Sequence, residues 1–221
     1  TQSRSSAASD VYKRQPVLNQ LLSAVKNTYL LAITSLFIAI SFGLMAGVIA
    51  AKHHNRFLDR IIMNASILFI SIPHFFLGPL LILIFSIWLG WFPVNGMDSP
   101  IAIILPAFTL ALGMIAIIAK LTRNCMLELI DSDVVRTARA KGLGEWTILI
   151  QHTFRLVLIP IISIIGMQFG SLLSGAVITE TIFSWNGLGM LLVDSIQTRD
   201  YTITQGLSLI HISEPTRRRG I

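Results

Sequence analysis

The sequence predicts an all-α fold, a polytopic bundle of transmembrane helices. Three observations indicate it: the composition, four long apolar runs without Asp, Glu, Lys or Arg, and the placement of the basic residues. Hydrophobic residues make up 53% of the 221 residues, charged residues 13%, and the mean hydropathy is +0.72. A soluble domain carries about 25% charged residues, and disorder combines low hydrophobicity with high charge. The composition therefore excludes both classes, and a single cysteine excludes a disulfide scaffold or a cysteine-rich zinc module.

Four runs are long enough to cross a bilayer, for which a helix needs about 20 mostly apolar residues. They are residues 27–51, 61–89, 101–119 and 156–179. A charge at the bilayer centre costs about 2.5–3.5 kcal/mol on insertion scales, so the absence of Asp, Glu, Lys and Arg from all four favours membrane spans. A buried core helix is the alternative, but such helices rarely stay apolar on every face for this length.

The residues within the spans predict how the helices pack. Small residues recur at every fourth position in the first and fourth spans, which indicates a ridge where helix backbones approach closely. In the second span, Pro73 and Pro79 predict a kink or a break, because proline removes a backbone donor and clashes with the preceding turn. The two ridges are Ser35, Ala39, Gly43, Gly47 and Ala51, and Gly166, Gly170 and Ser174.

Lys and Arg concentrate in two loops, and this predicts the orientation. The loop 91–100 contains neither residue, so the positive-inside rule assigns the two basic loops to the cytoplasm. Aromatic belts are expected at the interfaces, and Trp88, Trp91 and Trp185 fall near the predicted outer one. The basic residues are Lys52, Arg56 and Arg60 in the first loop, and Lys120, Arg123, Arg136, Arg139, Lys141 and Arg155 in the second.

The two ends of the chain differ from the rest. SSAASDVYKRQ (residues 5–15) and LSLIHISEPTR (residues 207–217) resemble translated adapter sequence from transposon-based sequencing libraries. A polar N-terminal tail and a basic C-terminal tail are the alternative. We expect residues 1–15 and 207–221 to be tails of this kind, with a transmembrane permease domain at 16–206. Six of the 17 basic residues lie in these tails, so the net charge of +6 gives no reason to propose a nucleic-acid partner.

The cytoplasmic loop, residues 120–155, predicts a short basic helix. A serine or an aspartate at 131–133 can cap it, and it would run over about 134–141. Gly142 would end it, because glycine takes the left-handed conformation after a helix without a steric penalty. On spacing alone two interpretations stay open: a basic amphipathic segment lying on anionic lipid, or a docking site for a cytoplasmic partner.

Several motifs, in their order along the chain, resemble the permease subunits of bacterial ABC importers. The similarity is to the dipeptide, oligopeptide and nickel branch and covers residues 16–206. The general signature of this family is Glu-Ala-Ala, three residues, then Gly. Gly142 matches the glycine, and of the first three positions only Ala138 is kept, which is usual in this branch. The motifs are RTARAKGL (136–143), the pair Ile159–Pro160, TETIFSWNGLG (179–189) and RDYTITQG (199–206).

The resemblance implies partners and a coupling site. The family has six spans in the bacterial cytoplasmic membrane, so this chain would hold about four. Its cytoplasmic loop carries the coupling helix, which docks on an ATPase subunit. The implied partners are two ABC ATPase subunits, a second homologous permease, an extracytoplasmic substrate-binding protein and the lipid bilayer. Carried over residue by residue, the coupling contacts are Arg136, Thr137, Ala138, Ala140, Lys141, Gly142 and Leu143.

Two further groups of residues are functional candidates. The resemblance implies that the segment after the fourth span shapes an outer gate, where Glu180 is either a gate contact or an interface carboxylate with access to water. Polar residues inside the spans are candidates for the translocation path. The outer group is Glu180, Phe183, Trp185, Gly187 and Gly189, and the path group is His74, Gln168, Ser171 and Ser174.

The expected function is a permease subunit of an ATP-driven importer that moves peptides or nickel by alternating access. The sequence has no G-x-x-x-x-G-K-[ST] loop, so ATP hydrolysis is expected on a separate subunit and this chain is not expected to be an enzyme. No cofactor or metal site is expected, and His53 and His54 are interpreted as solvated loop residues. The alternative is an ion-driven secondary transporter, for which an ionisable group in mid-membrane would be expected. A non-transporting membrane anchor or enzyme would not predict the coupling loop.

Overall fold

The computed structural model describes residues 17–97, 99–130, 132–144, 147–148 and 153–199, and this part of the chain is all-α without a β-strand. The predicted all-α helical bundle is confirmed. A π-helical segment, Ile82–Trp88, follows the helix His74–Leu81, and a 3₁₀ turn, Pro100–Ile103, precedes the helix Ile104–Ile130. The tails 1–15 and 207–221 lie outside the described residues. The helices are α1 (Val17–Lys52), α2 (Phe57–Ser71), α3 (His74–Leu81), α4 (Ile104–Ile130), α5 (Asp133–Ala140), α6 (Phe154–Ile182) and α7 (Leu188–Gln197).

Helix α1 packs against α4 through its small residues. A Cβ atom added at Gly43 would lie 2.8 Å from Cβ of Ile118, and one added at Gly47 would lie 2.5 Å from Cβ of Thr122. Real Cβ atoms do not approach so closely, so only glycine lets the two backbones come together. The ridge predicted on the first span is therefore confirmed, and it faces α4.

The second predicted span is broken at Pro73. Ile72 and Pro73 are both in the extended conformation, so helix α2 ends at Ser71 and Pro73 lies at the N-cap of α3. The two halves, Phe57–Ser71 and Phe75–Trp88, meet at 113°. Pro79 lies inside α3 without ending it, and the helix widens into the π-helical segment shortly afterwards. The predicted break is confirmed, and its position shows that Pro73 causes it.

Two of the described helices, Asn19–Lys52 and Pro100–Ile130, are long and apolar enough to cross a membrane, and a third is counted if the bent pair is one span. Helix α6 contains the fourth predicted span and is 29 residues long. Its apolar stretch, Phe154–Gly170, is shorter than the two membrane-crossing helices. Helix α4 continues well beyond residue 119, the predicted end of the third span.

The core lies where α1, α4 and α6 meet, with α4 in the middle. Large apolar side chains also cover the outside: Phe37 is 73% exposed, Phe57 76% and Ile159 69%. Lipid tails can solvate such side chains, so this surface is typical of a membrane helix. The buried core residues are Leu31, Ala39, Val48 and Ala51 of α1, Ala107, Leu110, Ala111, Met114, Ile118 and Met126 of α4, Val157, Ile161, Leu172 and Ala176 of α6, and Trp185.

Candidate functional site

The α5 segment, residues 132–143, follows the end of α4 and holds the predicted short basic helix. Helix α5 stops at Ala140, and Gly142 is in the left-handed conformation with φ of +78°. The Gly142 N–H donates to the carbonyl of Arg139 at 2.9 Å, and the Leu143 N–H donates to that of Ala138 at 3.3 Å. These two bonds form a Schellman motif, which satisfies carbonyls that have no partner within the helix. The predicted helix end at Gly142 is confirmed.

The beginning of α5 differs from the prediction. Ser132 occupies the N-cap position, but its side chain does not cap the helix. Its hydroxyl donates instead to the carbonyl of Leu129 at 2.7 Å, so it satisfies an acceptor near the end of α4. The expectation of a Ser132 side-chain cap is therefore wrong, and Asp131 lies outside the described residues.

Helix α5 has one face toward the protein and one toward solvent. Val135 and Ala138 are buried and form a small apolar cluster with Ile148. Of the predicted coupling residues, Ala138 alone turns inward, at 4% exposure. The outward surface is small and basic, and it consists of Arg136, Thr137, Ala140, Lys141, Gly142 and Leu143.

A buried carboxylate lies at the centre of the predicted outer group of residues. Glu180, near the end of α6, is 0% exposed. Its Oε1 accepts the Thr28 hydroxyl at 2.6 Å, and its Oε2 accepts the backbone N–H groups of Gly189 at 2.7 Å and Met190 at 3.3 Å. These two amides are in the first turn of α7, where N–H groups lack helical partners and a negative charge is favourable. Of the two alternatives for Glu180, an interface carboxylate with access to water is therefore wrong, because the carboxylate is enclosed by these donors.

Two residues about three turns into α1, Asn27 and Thr28, are bonded to the same place. The Thr28 hydroxyl accepts the Leu188 N–H at 2.8 Å while it donates to Glu180. The indole N–H of Trp185 donates to the carbonyl of Asn27 at 3.0 Å, and the Asn27 amide donates to the carbonyl of Asn186 at 2.8 Å. We call Asn27, Thr28, Glu180, Trp185, Gly187 and Gly189 the outer cluster.

The tryptophans separate into two groups. Trp88 and Trp91 are 75% and 64% exposed, as expected for an interface belt, whereas Trp185 is 3% exposed. The interpretation of Trp185 as an interface residue is therefore wrong, because its ring packs in the core and its N–H is bonded within the protein.

The two glycines of the outer cluster are required by close contacts. A Cβ atom at Gly187 would overlap the Glu180 carboxylate, and one at Gly189 would overlap the backbone of Val177. Phe183 is buried in a separate cluster with Leu77, Leu81 and Leu105, and its carbonyl accepts the Gly96 N–H at 3.2 Å. The structure thus brings four of the five predicted outer residues, Glu180, Trp185, Gly187 and Gly189, to one buried joint between α6, α7 and α1, whereas Phe183 packs toward α3 and α4.

The predicted path residues lie on α6 and α3. Gln168 is half-buried on α6. A Cβ atom at Gly166 or Gly170 would meet none of the described atoms within 4 Å, so no described contact requires glycine at either position. The ridge predicted on the fourth span stays a prediction. The side chains of His74, Ser171 and Ser174 lie outside the described part of the structure.

One polar pair was missed by the sequence analysis. Asp59, at the start of α2, is buried and bonded to Arg123 near the end of α4. Asp59 is the only acidic residue in the first basic loop, and Arg123 lies just beyond the third predicted span on the same side. This juxtaposition of opposite charges was the available signal.

The helical bundle and its exposed apolar side chains define the class of protein as a polytopic helical membrane protein. The fold is similar to chains of the inward-facing MetNI methionine ABC transporter in two crystal forms. One has a TM-score of 0.73 and 18% identity, with 90% of each chain covered. The other has a TM-score of 0.71 and 21% identity, with 89% of this chain and 91% of that chain covered. At these identities the likeness concerns the fold alone.

The chain belongs to the family described as the binding-protein-dependent transport system inner membrane component, which matches residues 43–213. It is 43% identical over 197 residues to the glutathione transport system permease proteins GsiC of Escherichia coli and Shigella dysenteriae. The match covers 89% of this chain and 64% of each relative. The resemblance to ABC-importer permeases is confirmed, and the relatives are transport permeases, in agreement with the prediction that this chain is not an enzyme.

Proposed function

We propose that this chain supplies half of the membrane pathway of an ATP-driven importer in the bacterial cytoplasmic membrane. The observation that carries the proposal is the α5 segment, whose outward surface is basic and whose end is held by the Schellman motif at Gly142. A helix presented in this way suits docking of an ATPase subunit better than lipid binding, because small residues such as Ala140 permit close approach. Two ATPase subunits would dock, one on each permease.

The second permease would pack on α6. The small-residue ridge of this helix faces open space at Gly166, and Ile162 and Met167 beside it are 64% and 58% exposed. A second copy or a homologous chain would cover this surface, and the translocation path would lie between the two. Gln168, Ser171 and Ser174 on α6 are the polar candidates along that path, and His74 is the candidate on α3.

The outer cluster would form the outer gate, beside the docking site of a substrate-binding protein. Glu180 holds the start of α7 to α6 and, through Thr28, to α1. A displacement of α7 would therefore be transmitted to both helices. Alternating access then follows when ATPase closure moves the α5 segments and the two helical bundles rock against each other.

The substrate we propose is a small peptide of the glutathione type. The relatives at 43% identity are named as glutathione transport permeases, which favours the peptide alternative over nickel. The ion-driven alternative finds no support in these relatives.

Docking is tested by placing bulk on the α5 segment in the assembled transporter. Gly142→Trp should abolish co-purification of the ATPase subunits and substrate uptake, because a large ring would stand on the docking surface. Gly90→Trp is the matched control, since Gly90 also has a positive φ, of 63°, and open space around it but lies between the π-helical segment and α4. Retention of the ATPase subunits by Gly142→Trp would contradict the proposed docking site.

A further inference from the structure

An ion pair between a buried carboxylate and a partly buried guanidinium joins the start of α2 to the last part of α4. The Arg123 Nε donates to Oδ1 of Asp59 at 2.6 Å, and its Nη2 donates to Oδ2 at 2.8 Å. The Asp59 side chain is 4% exposed and the Arg123 side chain 18%. Two parallel bonds between a guanidinium and a carboxylate constrain orientation as well as distance. The pair therefore holds the two helices in one relative direction.

The turn between α1 and α2 is organised around the same carboxylate. The Asn55 N–H donates to Oδ2 of Asp59 at 2.9 Å, and Asn55 has a φ of +61°, a conformation that asparagine tolerates better than most residues. Nδ1 of His54 lies 3.1 Å from Nη2 of Arg123 and 3.5 Å from Oδ2 of Asp59. Three elements, the turn after α1, the start of α2 and helix α4, thus meet at this ion pair.

The position of this pair relates it to the α5 segment. Helix α4 is unbroken from Arg123 to Ile130, a distance of about 10 Å along the axis, and the α5 segment begins two residues later. An unbroken helix transmits a displacement of its end along its length. On the other side of the pair, the break at Pro73 interrupts the helix between α2 and α3, which meet at 113°. A displacement of α2 is therefore not passed to α3 along a continuous helix.

We propose that Asp59 and Arg123 are positioning residues that make α2, the inner half of the second span, follow each displacement of α4. The inference rests on the proposed function, because it takes ATPase docking on the α5 segment as the source of the displacement. An apolar contact permits sliding between helices, whereas two hydrogen bonds to a buried carboxylate resist it. Loss of either partner leaves an unpaired charge in a buried place.

The test uses the complete transporter in proteoliposomes, with glutathione as the transported probe. Asp59→Asn and Arg123→Gln each break the pair, and the double variant Asp59→Arg with Arg123→Asp exchanges it. Glu128→Gln is the matched control, because Glu128 is an exposed acid on the same helix α4. Three quantities are measured for each: ATPase co-purification, the melting temperature, and glutathione moved per ATP hydrolysed.

The single variants should retain the ATPase subunits and hydrolyse ATP, but move about 2- to 30-fold less glutathione per ATP. The exchanged pair should recover much of this loss, and Glu128→Gln should match the wild type. Unchanged glutathione per ATP in variants with a lowered melting temperature would overturn the proposal, because the pair would then be purely structural. If a single variant does not accumulate in the membrane, Arg123→Lys replaces it, since lysine keeps the charge without the two parallel bonds. Failure of the wild-type chain to retain any ATPase subunit would instead refute the proposed function.

Discussion

The hydroxyl of Thr28 lies 2.6 Å from Oε1 of Glu180, although 152 residues separate them in the sequence. The other carboxylate oxygen accepts two backbone N–H groups in the first turn of α7. A buried carboxylate is costly unless it is hydrogen-bonded, and here each oxygen has a donor. Glu180 therefore joins α1 at Thr28 to the end of α6 and the start of α7.

Removal of the Glu180 side chain should destabilise this joint. Glu180→Ala leaves Thr28 and the α7 amides without their acceptor, and a buried donor without a partner costs about 1–3 kcal/mol. We expect the free energy of unfolding of the purified, detergent-solubilised permease to fall by at least about 2 kcal/mol. Glu180→Gln should cost less, because its side-chain carbonyl can still accept one bond. Glu128→Ala, at an exposed position, is the control, and equal melting temperatures for it and Glu180→Ala would contradict the prediction.

A methyl group at Gly187 should disturb the same joint from the other side. The added Cβ would overlap the Glu180 carboxylate, and overpacking of a buried site costs about 1–3 kcal/mol. The φ of Gly187 is −105°, which any residue can adopt, so the effect of Gly187→Ala is steric alone. Gly144→Ala is the matched control, because a Cβ there would meet none of the described atoms within 4 Å. Thermal unfolding of both variants checks the difference, and a neutral Gly187→Ala would disprove the close packing.

Local features of the structure were predictable because local rules govern them. The left-handed Gly142 and the break at Pro73 follow from the backbone limits of glycine and proline. The close contact at Gly47 follows from the spacing of small residues on one helix face. These three positions are where the structure agrees with the sequence analysis most directly.

The polar pairs were not predictable in the same way. Asp59 and Arg123 are 64 residues apart, and their contact exists only once α2 and α4 are packed. Tryptophan is common at membrane interfaces, so the residue type alone predicts an interface position for Trp185. Its burial is explained only by the Asn27 carbonyl, which accepts the indole N–H in the folded protein. The inward turn of Ala138 depends likewise on Ile148, which the sequence does not place beside it.

The contact between α1 and α4 predicts a sensitive position at Gly47. A Cβ there would lie 2.5 Å from Cβ of Thr122 and 2.7 Å from the carbonyl oxygen of Ala119. Because the second of these atoms belongs to the backbone, the neighbour cannot yield by a rotamer change. Gly47→Ala should therefore lower the free energy of unfolding by about 1–3 kcal/mol. Gly166→Ala in the same solubilised chain should be neutral or stabilising, since alanine is favoured over glycine in a helix by about 0.5–1 kcal/mol. Equal losses at the two positions would mean that α1 and α4 are not in close contact.

The two faces of α5 lead to opposite effects of the same substitution. Ala138 is 4% exposed and packs with Val135 and Ile148, whereas Ala140 is exposed. Ala138→Glu places a carboxylate in this apolar cluster, so the α5 segment should detach from the protein. Amide hydrogen exchange of residues 132–144 should then rise by about tenfold or more, since each 1.4 kcal/mol of lost stability is a factor of ten. Ala140→Glu should leave this exchange at the wild-type rate, because its side chain extends into solvent.

In the assembled transporter the Ala140→Glu variant should nevertheless weaken ATPase co-purification, since it adds a negative charge to the basic docking surface. Exchange that rises equally in both variants would show that α5 has no inward face, and ATPase retention that is unchanged in Ala140→Glu would remove the outward face from the docking surface.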